Sequence, residues 1–140
     1  MLHQKQYGPS CFFVAACNAA DIEFTAEQEA EYLVVQRARN TKAITEFISS
    51  FVQQHVPATH YTTDSGIAQE IPTEGKGLLI IARLSFPGDS KTHAVAYDSG
   101  MMCDSRMPQE VFISFEDFRK FDSLYANSEI VEVIPFKEEK

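Results

Sequence analysis

The sequence predicts an α+β fold in which an N-terminal helical part packs on a mostly antiparallel sheet. Three observations carry this. The chain up to Gln54 holds an apolar, alanine-rich segment followed by two stretches of helical character. The chain after it holds the short apolar run "GLLIIARL" and segments that alternate or are bounded by turn residues. The two kinds of segment are also segregated along the chain rather than interleaved.

The first helix is expected to start at Ser10 or Cys11 and to run to about Ala20. Pro9 suits a helix start and Ser10 a cap, and the segment is apolar nearly all round, as a buried helix should be. The second begins at Thr25, where "TAEQ" has capping-box form, and runs to about Arg39. In the third, from about Thr41 to Gln54, Ile44, Phe47, Ile48, Phe51 and Val52 make one stripe. "THYTT" (Thr59–Thr63) reads as a short strand and "DSGIAQEI" as one or two helical turns. Two Gly/Pro-rich loops, Ile71–Gly77 and Ser85–Thr92, flank the central strand Gly77–Leu84, which should be buried on both faces. "HAVAYDSGMMCDSR" reads as a hairpin turning at Asp98–Gly100. "SFEDFRKF" is a short helix capped by Ser114, "EIVEVIPF" (Glu129–Phe136) a final strand, and the tail "KEEK" a solvated end.

A chain of 140 residues holds one domain with a real core, spanning 1–140. A net charge of -8 disfavours nucleic-acid backbones and anionic membranes as partners, because phosphate binding needs clustered Lys and Arg. No apolar run has signal-peptide or membrane-spanning length, which points to a cytoplasmic protein. The three cysteines, Cys11, Cys17 and Cys103, do not suggest a disulfide framework. With His93 they fit no common zinc spacing, so neither a metal nor another cofactor is expected.

The chemistry is concentrated in two stretches. With the turn at Asp98–Gly100, Tyr97 faces Met101, Ala96 faces Met102, Val95 faces Cys103 and Ala94 faces Asp104. His93 then lies within one residue of Asp104, and a one-residue bulge would bring both side chains to one face. Asp98 would be about 16 Å from His93 along the strand and is read as a turn residue. A histidine held by a carboxylate is half of a catalytic unit. Cys11, behind "QYGPS" at a helix N-terminus, is the natural nucleophile, since helix dipole and imidazolium both favour the thiolate. Gln6 can donate to an oxyanion beside the Cys11 backbone N–H, with Gln4 as the alternative. Taken singly, Cys11 is a core thiol, His93 a hydrogen-bonded histidine, and Gln6 carries no meaning. Their order, spacing and local structure agree only when taken together. Cys17, about 240° round the helix from Cys11, is a core residue, and Cys103 should face away from Asp104. His3, His55 and His60 have no recognisable partners.

Glutamine before a cysteine at a helix start, a distant histidine at a strand start and Asp on the next strand form the order found in papain-like cysteine peptidases, and the chain resembles that superfamily. "THAVAYDSGMMCDS", followed by "VFISFEDF", is most similar to compact bacterial peptidases related to the leader-peptide peptidases of bacteriocin exporters. "QYGPSC" is closer to Josephin-type deubiquitinases, with the glutamine five residues before the cysteine, and "CFFVAA" is faintly similar to ovarian-tumour-type deubiquitinases. Phe12 stands where leader peptidases usually have Gly, papain spaces its glutamine six residues before the cysteine, and there is no Trp to cover the catalytic pair. The resemblance implies a papain-like cysteine hydrolase with Cys11 as nucleophile, His93 as acid–base, Asp104 as its orienting group and Gln6 at the oxyanion. It implies a peptide or protein substrate lying in a cleft between the two halves, such as a ubiquitin-like tail or a leader peptide. An acyltransferase or deamidase using the same site, or a catalytically silent binding module of the same fold, are the alternatives.

Overall fold

The computed structural model describes residues 1–57, 59–61, 68–83 and 92–138. Three helices come first: α1 (Cys11–Ala19), α2 (Ala26–Arg37) and α3 (Thr41–His55). Strands β1 (Thr59–Tyr61), β2 (Lys76–Arg83), β3 (Thr92–Asp98), β4 (Met101–Cys103) and β5 (Val111–Phe112) follow. Then come α4 (Phe115–Phe121), a 3-10 turn (Ser123–Tyr125) and β6 (Ser128–Glu138). The strands form one sheet in the order β1-β6-β2-β3-β4-β5, and each neighbouring pair is antiparallel. The fold is therefore α+β.

Local chemistry explains most element boundaries. The Thr25 hydroxyl accepts from the Gln28 N–H at 3.1 Å while the Gln28 side chain accepts from the Thr25 N–H at 2.9 Å, a complete capping box. Asn40 caps α3 and Ser114 caps α4 in the same way from the N-cap side chain. Ser10 does not cap α1 as expected. Its hydroxyl is turned to the buried Glu29 carboxylate, to which it donates at 2.6 Å in a charge-assisted bond, and the hydroxyl oxygen accepts from no N–H of α1. The final strand is longer than expected at both ends, and Lys137 and Glu138 pair with β1 rather than forming a solvated tail. β5 and the 3-10 turn have no counterpart among the sequence expectations. The helical turn expected at Asp64–Ile71 lies mainly outside the described residues, and the described part, 68–71, is not helical. Thr62 and Thr63, Leu84 and the loop from Ser85 to Lys91 also lie outside them.

Two cores sit on opposite faces of the sheet, as β2 dictates by alternation. Leu78 and Ile80 join Ala94, Ala96, Ile134 and Phe136 under α1. Leu79 and Ile81 join Val95, Tyr97, Met102 and Val133 under Phe115 and Phe118 of α4. The small side chains of Ala94 and Ala96 let α1 lie close on β3. At Gly77 a Cβ would collide with the Ile134 carbonyl oxygen and the Pro135 Cα, so glycine is required where β6 crosses. A bulge in β6 leaves Val131 without a directly paired residue on β2, since Ile80 pairs with Glu132 and Ile81 with Ile130. It lets Ile130 and Val133, three residues apart, share one face, and turns Val131 and Glu132 toward the cleft beside α1.

The expected hairpin register is wrong by one residue. Asp98 pairs with Met101, Tyr97 with Met102 and Ala96 with Cys103. The loop contains only Ser99 and Gly100, with φ of 51° and 85°, the positive-φ pair of a I′ hairpin turn. The segment before β2 holds it there: Ser99 N–H donates to the Gly75 carbonyl at 2.8 Å and Gly100 N–H to the Pro72 carbonyl at 2.9 Å. Continuing the observed register places Asp104 opposite Val95, on the same face as His93, with no bulge in this hairpin.

Candidate active site

The N-terminus of α1 carries Cys11 into a cavity of about 900 Å³ between the helices and the end of the sheet. Gln6, Phe12, Arg39, Ile44, Thr92, His93 and Glu132 are among its lining residues. The loop before Cys11 is fixed from α2. The Glu29 carboxylate, 5% exposed, accepts from the Tyr7 N–H at 3.1 Å as well as from Ser10. With Ser10 turned to Glu29, the N-cap side chain makes no bond to the first turn of α1.

His93 begins the inner part of β3 and is 5% exposed. Its Nε2 lies 2.9 Å from Oδ1 of Asp104, which is fully buried. A carboxylate only accepts, so Nε2 carries the hydrogen and Nδ1 is left for the Cys11 thiol, which lines the same cavity. Arg106 Nε lies 3.2 Å from the same Nε2. Two donors cannot bond each other, so that N–H serves the Asp104 carboxylate, at 3.1 Å from Oδ2. Arg106 Nη2 bonds Asp104 Oδ2 and Asp122 Oδ2, each at 2.6 Å, and the Arg106 backbone N–H donates to Asp104 Oδ1 at 2.9 Å. The guanidinium also covers the Tyr125 ring, 4.9 Å from its centroid, and that ring packs against His93 at 5.5 Å. Tyr125 is thus an aromatic ring packed on His93 in a chain that has no Trp.

The electrostatics follow from these partners. Burial alone would push the Cys11 thiol up. Its bond to His93, the imidazolium charge and the backbone N–H groups of Ala94 and Phe12 outweigh that and hold it below the ordinary thiol value. Burial would lower His93, but the bonds and charges of Asp104 and Cys11 raise it to about 9. Burial would raise Asp104, but His93 and Arg106 bring it down to about 2. The arrangement favours a thiolate–imidazolium pair beside a fixed carboxylate. The other two thiols are the reverse case: burial pushes Cys17 far up and Cys103 up to about 11.

Cys11, Gln6, His93 and Asp104 are brought together by four separate parts of the fold. Gln6 Nε2 donates to the Gly8 carbonyl at 2.9 Å and its Oε1 accepts from Ser105 Oγ at 2.7 Å. The second Nε2 hydrogen remains for a ligand in the cavity it lines. Gln4 is turned elsewhere: its Nε2 reaches the Ile22 carbonyl at 2.7 Å and Asn18 Oδ1 at 3.1 Å, and its Oε1 caps the Phe24 N–H at 3.1 Å. Asp98 accepts from the Ser99 hydroxyl at the turn. His55 is bonded through Nδ1 to the Phe51 carbonyl at 2.9 Å and stacks on the Phe51 ring. The His60 side chain lies outside the described residues.

Arg106, Asp122, Tyr125, Ser105 and Glu29 were not anticipated from sequence. Only Arg106 carried a local signal, as a cation two residues after the proposed triad carboxylate. Among the described residues no group of three or more His, Cys, Asp or Glu side chains is placed to hold a metal ion, and no helix is long and apolar enough to cross a membrane. The chain matches no protein-family model, no curated protein and no solved structure.

Proposed function

We propose that the protein is a papain-like cysteine hydrolase that cleaves a peptide or isopeptide bond through a thioester. The observation that carries this reading is the relay at the cavity wall: a thiol at a helix N-terminus shares the cavity with an imidazole whose Nε2 is 2.9 Å from a buried carboxylate, and the imidazolium charge lowers that thiol. Cys11 Sγ attacks the carbonyl carbon. The oxyanion that forms accepts from the Cys11 backbone N–H and the free Nε2 hydrogen of Gln6. As the tetrahedral intermediate collapses, His93 Nδ1–H protonates the leaving amine. His93, now neutral, takes a proton from water, whose oxygen attacks the thioester. Collapse of this second intermediate releases the acid and leaves the Cys11 thiolate beside the imidazolium. Asp104 holds the ring orientation and the imidazolium charge throughout. An extended chain end suits the cavity, which runs between the helices and the sheet.

Incubation with a carbonyl-type electrophilic probe and with peptide and ubiquitin-tail amide substrates tests this. Labelling at Cys11 and substrate cleavage, both abolished by Cys11→Ala in a folded protein, are the expected results. A wild-type Cys11 no more reactive than Cys103 at pH 6–7 would refute it.

A further inference from the structure

Asp104 is shared unequally between its two cationic neighbours. His93 contributes one hydrogen bond, at 2.9 Å. Arg106 contributes its backbone N–H and two guanidinium nitrogens, the closest at 2.6 Å. A carboxylate facing an imidazolium alone would hold that proton strongly, which suits ion-pair formation but opposes its return to a leaving group. A second cation on the same carboxylate offsets this. On the cysteine-hydrolase reading above, we propose that Arg106 is a positioning residue with an electrostatic role. Its charge partly neutralises Asp104, so that the imidazolium stays acidic enough to act as general acid while the ring remains locked.

The surroundings support a graded rather than an all-or-none effect. Among the described residues, the charged or titratable groups around His93 and Asp104 include Cys11 from α1, Arg106 after β4, Asp122 and Tyr125 from the segment after α4, Cys103 on β4, Arg83 of β2 at 6.0 Å from the Tyr125 ring, and Arg39 and Glu132 on the wall of the cavity that His93 lines. Asp122 draws off part of the Arg106 charge through its own 2.6 Å contact. Asp122 thereby sets how much of the Arg106 charge reaches Asp104. The Tyr125 ring lies against both Arg106 and His93.

The sign of the effect separates this role from mere scaffolding. Removing a positive charge disfavours every anion nearby and favours every cation, so both the Cys11 and the His93 titrations should move to higher pH. If Arg106 served only to hold Asp104 in place, its loss would free the carboxylate from His93, and the imidazole would move to lower pH. The test is the pH dependence of Cys11 alkylation by iodoacetamide, with the His93 ring titration followed by ¹⁵N NMR, in Arg106→Gln, Arg106→Lys and Asp122→Asn. Arg106→Gln should shift both titrations upward by about one pH unit, the size of a partly screened charge at this range. Arg106→Lys should restore most of the wild-type profile. Asp122→Asn, on a partly exposed side chain and able to keep the Leu124 cap, should shift both in the opposite direction. If Arg106→Gln does not fold, the Asp122→Asn shift decides alone. An unshifted profile, or a His93 shift to lower pH in Arg106→Gln, overturns the inference. A wild-type Cys11 that shows no low-pH thiolate overturns instead the hydrolase reading on which it rests.

Discussion

Asp104→Asn is the most informative single perturbation, because it removes one charge from a fully buried site while keeping nearly the same shape. The amide can place its oxygen toward His93 or toward Arg106, but its NH₂ then meets the other donor. The carboxyl is held at about 2 against an ordinary 3.8, which corresponds to about 2 kcal/mol of stabilisation at neutral pH. A group whose folded value lies below its unfolded value stabilises fully above the unfolded value. The contribution is therefore complete above about pH 4 and is lost as pH falls through the window from there to about 2. Urea unfolding should show Asp104→Asn less stable than wild type by about 2 kcal/mol at pH 7, with the gap closing toward pH 2. Function should fall further than stability. Without the carboxylate the imidazole loses its first support and moves down from about 9, so at pH 7–8 Cys11 faces a largely neutral ring. Turnover should drop tens- to thousands-fold, the range open to an orienting residue. Asp98→Asn, at a hairpin turn, is the control and should remain within a few-fold. A folded Asp104→Asn with wild-type turnover and an unchanged acid limb would refute the reasoning, as would an equal loss in Asp98→Asn.

Three further expectations concern the same molecule. Peptide mapping after brief iodoacetamide treatment at pH 6–7 should find Cys11 modified first, because burial holds Cys17 and Cys103 protonated there. Gln6→Ala should lower kcat by about a hundred-fold with little change in KM, whereas Gln4→Ala should spare kcat and cost about 1–3 kcal/mol in thermal or urea unfolding, since it strands the Phe24 N–H and the Ile22 carbonyl. A kcat loss confined to Gln4→Ala would reverse that assignment. Gly77→Ala should destabilise by several kcal/mol or prevent folding, because backbone of β6 occupies the space of a Cβ; a melting temperature within a degree or two of wild type would contradict the close crossing.

The features legible in the sequence were those that adjacent residues decide among themselves. Thr25 and Gln28, and Ser114 and Asp117, meet within one turn, so the starts of α2 and α4 depend only on short-range hydrogen bonds, whereas Ser10 before α1 is taken by the distant Glu29. Cys11 at the head of an apolar helix and the alternation of β2 are of the same kind. The pairing of His93 with Asp104 was reached from sequence through the wrong register, with a bulge assigned to this hairpin. Register depends on whether the turn takes two residues or three, and here Gly75 and Pro72, on the far side of β2 from Ser99 and Gly100 in the chain, hold the two-residue form. The bulge belongs instead to β6, where two packed faces must both receive an apolar residue. Glu29 under the Cys11 loop, the choice of Gln6 over Gln4 at the cavity, and the convergence of Asp104, Asp122 and Tyr125 on the Arg106 guanidinium have no local pattern. They arise when α2, the N-terminal segment and the 3-10 turn close on the sheet, because buried charges and donors must find partners and the nearest ones in space are far away in the chain.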